Sequence, residues 1–143
     1  MVVKLREFIR LMLLKPYFLI LTKVYKMGIS PSAKIALGAR LDKTNPKGIH
    51  IGSESYVAAG AIVLSHGGGT SKNTYIGKKC LIGVNSIILQ GVKISDSVVV
   101  AAGAVVTKDI PANCVVAGNP AIIIRKNIVT KKYGRFVSRG VRV

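Results

Sequence analysis

One imidazole sits where the sequence changes character. The stretch "VLSHGGGTSKNTYIG", residues 63–77, leaves a run of evenly spaced aliphatics for polar and glycine-rich residues, and His66 stands at the root of that excursion. An imidazole titrates near neutrality, so it can take a proton from a hydroxyl or amine as that group attacks a carbonyl. Loops held on a rigid scaffold are where such groups concentrate. A solvated loop histidine without a role is the bland alternative. The second histidine, His50 in "GIHIG", precedes an aliphatic of the regular pattern and points outward from a strand. It reads as a passive surface residue or, less simply, as a contact for an acceptor. Cys80 and Cys114 are too few for a disulfide framework and have no CxxC spacing. A bond between the two stays open, and with no secretory signal in view they read as reduced and intracellular. Cys80 falls on an inward position of the pattern, which predicts a core thiol and not a nucleophile.

The pattern that must position His66 has a period of six. Residues 76–111 divide into IGKKCL, IGVNSI, ILQGVK, ISDSVV, VAAGAV and VTKDIP, each opening on Ile or Val. The second place is mostly small, and the fifth is small or aliphatic. Upstream, Ile51, Val57 and Val63 keep the same step, and Ile35 and Leu41 begin a weaker version that the Asn45-Pro46 turn interrupts. A helix repeats at 3.6 residues and a simple strand at two, so neither explains the spacing. A short strand plus a turn, repeated, does. Three such units close an 18-residue triangular coil, and coils stack at about 4.8 Å in strand register, the arrangement of a parallel β-helix. First-place aliphatics then line the inside. The small second-place residues are expected where the chain turns a corner, because glycine accepts backbone angles that other residues resist.

This pattern resembles the hexapeptide-repeat acyltransferases, an all-β fold whose triangular prism is a left-handed parallel β-helix. The handedness comes from the resemblance and not from the spacing. The likeness covers roughly residues 30–125. Its narrowest part is "VVVAAGAVVTKDIPANCVVAGNPAIIIR", residues 98–125, which is similar to the closing coil and tail of bacterial sugar and capsular-polysaccharide O-acetyltransferases. The resemblance implies a homotrimer with acetyl-CoA in clefts between neighbouring prisms. It implies His66 as the general base in direct transfer, since "LSH" matches a Ser-His loop of similar sugar acetyltransferases. It implies a coenzyme site with Gly83, Val84, Ala101 and Ala102 along the pantetheine and Thr107 with Lys108 toward the phosphorylated end. The tail motif would add Arg125, although Ile122 stands where a first basic residue is expected. No metal is implied. The prism-shaped zinc carbonic anhydrases need three histidine ligands, and this chain has two.

Charge divides the chain. Of a net +17 over 143 residues, residues 1–50 carry +8, residues 51–111 carry +2 and residues 112–143 carry +7. Counterion release could bind such a chain to nucleic acid, yet no interleaved aromatic platform or known binding motif accompanies the charge. The opening "MVVKLREFIRLMLLKPYFLILTKVYKM" is interrupted by Lys15 and Pro16 and is too short for a span. No cleavage site follows it, which argues against a signal peptide. Pro16 is expected to separate two short helices. These would either cap the prism with their apolar side buried or lie on anionic lipid. The sequence thus divides into a helical segment, 1–28, a β-helix domain, 29–125, and a basic tail, 126–143. The expected activity is O-acetylation of a sugar or surface-polysaccharide precursor in the cytoplasm, with peripheral contact to the inner face of the membrane through the basic N- and C-terminal segments as a further expectation. Acetylation of serine or another small molecule is the alternative within the class. A noncatalytic β-helix scaffold is the alternative outside it; ice binding is poorly served, because the six threonines form no rank.

Overall fold

The computed structural model describes residues 1–143. Three parallel ladders wind a left-handed β-helix of about four coils. The first ladder contains Gly28–Ile29, Ile49–Ile51, Thr74–Ile76 and Lys93–Ile94. The second stacks Lys34–Ile35, Tyr56–Val57, Leu81–Ile82, Val99–Val100 and Cys114–Ala117. The third stacks Arg40–Leu41, Ile62–Val63, Ile87–Ile88 and Val105–Val106. In the later coils the register is 18 residues, as Ile76 pairs with Ile94, Leu81 with Val99 and Ile87 with Val105. This is three sixes, so each first-place aliphatic lies over its counterpart. Ile51, Val57, Val63, Ile82, Ile88, Ile94, Val100 and Val106 are all at most 2% exposed. The fifth-place residues Cys80, Ser86, Val92, Val98, Ala104 and Ile110 are buried as well.

The small second-place residues have a different cause from the one the sequence suggested. Positive φ angles fall on the fourth place, at Glu54, Gly60, Lys79, Asn85, Gly91, Ser97 and Gly103. At the second place the constraint is the next coil: a Cβ on Gly83 would lie 2.5 Å from the Val100 carbonyl oxygen and 2.8 Å from the Ala102 nitrogen. Coil spacing, not backbone torsion, selects glycine there.

Before the prism lies one helix where the sequence predicted two. Helix α1 runs Val2–Leu19 with Pro16 inside it, and a π-helical turn, Ile20–Val24, follows. Proline removes one donor and crowds the carbonyl four residues back, but its neighbours Leu13, Leu14 and Lys15 are strong helix formers. The wider turn follows directly, a common way for a helix to absorb a local defect. Leu21 and Met27 plug the open end of the prism, and Tyr17 donates its hydroxyl to the Ala39 carbonyl at 3.3 Å. No residue of α1 is buried.

At the far end the coil stops and the chain doubles back. Ile122–Lys126 pairs antiparallel to Cys114–Ala117, and the hairpin of Val129–Lys131 and Arg135–Ser138 runs down the second sheet's outer face. Ile128 packs on Val99 and Val115, Thr130 donates to the Lys79 carbonyl at 2.9 Å, and the Tyr133 amide donates to the Glu54 carbonyl at 2.7 Å. Lys34 of the first coil lies 4.3 Å over the Tyr133 ring. The tip of the basic tail therefore reaches the first coil of the prism, while Arg125, Lys126 and Arg142 stay at the far end.

Candidate active site

Two interruptions of the repeat build the site. Leu41 pairs with Val63, 22 residues on, and Val63 pairs with Ile88, 25 residues on. Each exceeds 18 because residues are inserted after the third strand of the coil, at 42–48 and at 64–73. Both insertions leave the same edge of the prism, one coil apart, so they stack. The upper one closes as a tight hairpin, His66–Gly67 against Thr70–Ser71, turning on Gly68 and Gly69 with φ of 54° and 76°. Side chains tie the two together: Asn45 Nδ2 donates to the Ser65 carbonyl at 3.0 Å, and Ser65 Oγ donates to the Asn45 carbonyl at 2.6 Å. Gln90 of the next coil donates through Nε2 to the Gly67 carbonyl at 2.8 Å.

Between the insertions lies a carboxylate. Asp42 Oδ2 accepts the backbone amides of Ser65 and His66, each at 2.9 Å, and the Nδ1 of His66; Oδ1 accepts the Thr44 amide at 2.9 Å. Its side chain is 2% exposed, whereas that of His66 is 41% exposed. Burial pushes the Asp42 carboxyl up, but the amide of Ser65, the His66 ring and the amide of Thr44 together outweigh this and lower it to about 2. Ionised at any ordinary pH, Asp42 can only accept. Nδ1 of His66 must therefore carry the proton, leaving Nε2 as the lone-pair nitrogen, and Nε2 has no hydrogen bond within the chain. This is a base held in one tautomer, with its reactive nitrogen open.

Asp42 was not among the residues singled out from sequence. A signal existed: it is one of only five acidic residues in a chain of net charge +17, and it directly follows an inward aliphatic. Cys80 is buried and its thiol is pushed up to about 11 by burial; burial raises Cys114 too, and both are free. His50 stands on the outer face of the first sheet, its ring stacked on Tyr75 at 4.6 Å and 11°. It shares no hydrogen bond with His66.

The residues assigned to a coenzyme occupy two borders of the third sheet. Thr107 and Lys108, both exposed, follow Val106 on the His66 edge, two coils further along. Gly83, Val84, Ala101 and Ala102 line the opposite border, where the Gly103 amide donates to the Val84 carbonyl at 2.9 Å. Ala59, Val84 and Ala102 are exposed there with no charge among them, and nothing lies within 4 Å of a Cβ added to Gly103. This strip fits a slim, uncharged arm. Arg125, half-buried, donates to the Arg139 carbonyl at 3.3 Å on the returning strand, and Ile122 at that strand's start is 65% exposed. One chain does not gather all seven residues around His66.

Comparison with known proteins bears on this arrangement. Residues 74–108 match the family described as the hexapeptide repeat of succinyl-transferase. Serine acetyltransferase 2 of Arabidopsis thaliana is 36% identical over 141 aligned positions, covering 85% of this chain and 43% of that protein. The chain thus spans less than half the length of that curated relative. Among solved structures, a maltose O-acetyltransferase from Clostridium difficile 630 superposes with a TM-score of 0.60 at 26% identity, covering 75% of this chain and 72% of the other. The polySia-specific acetyltransferase NeuO superposes at 0.63 with 28% identity, over 73% of this chain and 53% of that one.

Proposed function

Because this chain belongs to the hexapeptide-repeat acyltransferase superfamily, we propose that it is an acetyl-CoA-dependent O-acetyltransferase whose acceptor is a sugar or a surface-polysaccharide precursor. The observation that carries the reading is the buried Asp42 carboxylate holding His66 by Nδ1 while Nε2 stays open. Sugar acceptors are favoured because the maltose and polySia acetyltransferases superpose with TM-scores of 0.60 and 0.63, against 0.54 for a serine acetyltransferase from Neisseria gonorrhoeae.

Acetyl-CoA supplies an activated thioester. Nε2 of His66 removes the proton from the acceptor hydroxyl as its oxygen attacks the acyl carbonyl, and Asp42 stabilises the imidazolium that results. The same imidazolium then returns its proton to the departing sulfur. No residue of the chain need carry the acetyl group, and the buried thiols of Cys80 and Cys114 are unsuited to do so. Gly83, Val84, Ala101 and Ala102 would line the pantetheine, and Thr107, Lys108 and Arg125 would meet the phosphorylated end. With Gly83, Val84, Ala101 and Ala102 on the border away from His66, and Thr107 and Lys108 on the His66 edge, a complete site would form between neighbouring copies in a homotrimer. The half-buried outward column Ile62, Ile87 and Val105 of the third sheet gives such neighbours an apolar surface. Work on nucleotide-linked sugars would place the chain in the cytoplasm.

Serine is the second reading, favoured by the 36% identity to a serine acetyltransferase. Thiol release from acetyl-CoA across a panel of sugars and serine, with the native chain and His66→Ala, separates the two. We expect turnover with a sugar and a loss of about 10²-fold or more in the variant. Turnover with serine alone transfers the assignment to the second reading, and undiminished turnover of His66→Ala removes the base.

A further inference from the structure

Helix α1 is amphipathic in the wrong direction for a helix that docks on its own domain. At 3.6 residues per turn, the side toward the prism carries Leu14, Tyr17 and Phe18, the only half-buried side chains of the helix. The opposite side carries Leu5, Phe8, Ile9, Met12, Leu13 and Leu19, which fill an uninterrupted arc of about 140° without a charge. Each of the six keeps 49–61% of its surface exposed. Charges flank this arc on both borders, Lys4 and Lys15 along one and Arg6 along the other. A helix packed on its domain in water shows the reverse, with apolar side chains inward and charges outward.

From this arrangement we propose that α1 lies in the interface of an anionic membrane, its outer arc among the acyl chains and its three bordering cations at headgroup level. Long basic side chains can extend along apolar surface while keeping their charge in the polar layer, which suits residues placed at the border of such an arc. The helix is not long and apolar enough to cross. Further cations stand at the same end. Arg10 and Lys34 line, with Lys15 and Glu7, a groove of about 620 Å³ beneath the helix, and Lys34 lies over Tyr133, next to Lys132, which pairs with Glu54 at 3.7 Å. Anionic headgroups complement this ring of charge. A second copy of the chain does not, because helices meeting along the arc would bring their own Lys and Arg borders together, in a chain of net charge +17.

The inference stands apart from acetyl transfer, and its test needs no turnover. The full chain is floated with vesicles of phosphatidylcholine, with and without phosphatidylglycerol, at low and high salt. The native chain is expected to float with the anionic vesicles and at least about tenfold less with the neutral ones. Ile9→Gln combined with Met12→Gln is expected to lower recovery on anionic vesicles by about tenfold or more. Both positions are exposed, so this pair should keep the native far-ultraviolet spectrum. Lys4→Gln combined with Lys15→Gln should shrink the preference for anionic over neutral vesicles. Failure of the native chain to float, or equal flotation of the Ile9/Met12 pair, overturns the proposal. So does a change in that pair's oligomeric mass in the absence of vesicles with flotation unchanged, which would assign the arc to another copy.

Discussion

Asp42 and His66 meet across one coil of the prism, and the carboxylate that orients the ring also takes the amides at the start of the hairpin that carries it. One buried group thus fixes both the backbone and the tautomer of the base. Asp42→Asn should therefore cost turnover out of proportion to its size. We expect kcat to fall about 10²-fold or more, with little change in KM for acetyl-CoA. Combining it with His66→Ala should add almost nothing, because the two act as a unit. Additive losses in the double variant would show that Asp42 acts apart from the ring.

The same carboxyl gives an acid-stability signature. Its folded pKa, about 2, lies below the ordinary value of 3.8. A depressed folded pKa contributes stability that is present above the unfolded value and lost as pH falls through the folded one. Across the window from about pH 4 down to about 2 the wild type should lose roughly 2 kcal/mol that Asp42→Asn does not. Parallel denaturant titrations of the two proteins through this window measure the difference; parallel stability curves would contradict it.

Glycines at two places in the repeat should respond differently to the same methyl group. Gly83→Ala puts its Cβ 2.5 Å from the Val100 oxygen and 2.8 Å from Ala101 and Ala102 backbone atoms, none of which can move without opening the coil. We expect a loss of about 1–3 kcal/mol. Gly103→Ala has open space but a φ of 70°, a torsional cost of about 1–2 kcal/mol for a residue with a Cβ. Asn at 103 should recover part of that loss, as Asn85 holds the equivalent corner with a φ of 56°. Asn at 83 should recover nothing. Thermal melts of the four variants read this directly.

How far the sequence reached depends on which interactions are periodic. The sixfold step specified the coil because each first-place aliphatic recurs over its own counterpart, and the hairpin was visible as the place where Ile76 arrives late after Val63. The partner of His66 was not visible. Asp42 precedes it by 24 positions instead of the 18 of a regular coil, because the insertions lengthen the coils locally. Only the stacking of residues 42–48 under 64–73 brings them together. α1 was misread for a related reason: Pro16 reports a local cost, whereas helix continuity depends on the sum over its neighbours.

Both cysteines should be silent to alkylating reagents in the folded protein. Only the thiolate reacts, and Cys80 is fully buried with its thiol pushed up to about 11 by burial. Its Sγ also donates to the Ser95 carbonyl at 3.2 Å, which ties it to the next coil. Labelling should appear only after denaturation, at both sites, and Cys80→Ala should keep turnover while losing about 1 kcal/mol of stability. Rapid labelling in native buffer would mean that the coil opens locally.

Lys108 offers the cleanest separation of coenzyme binding from chemistry. It is exposed on the His66 edge, two coils beyond the hairpin, and has no ion-pair partner in the chain. If it meets a phosphate of the coenzyme, Lys108→Ala removes a contact made equally in the ground state and the transition state, so KM for acetyl-CoA should rise about three- to tenfold with kcat preserved. The effect should shrink as salt is added, since an exposed charge is screened within about 10 Å at 0.1 M. Lys108→Arg should restore most of the affinity, because it keeps the charge. A fall in kcat with KM unchanged would instead place Lys108 at the reacting atoms, and a salt-independent effect would mean that its role is structural.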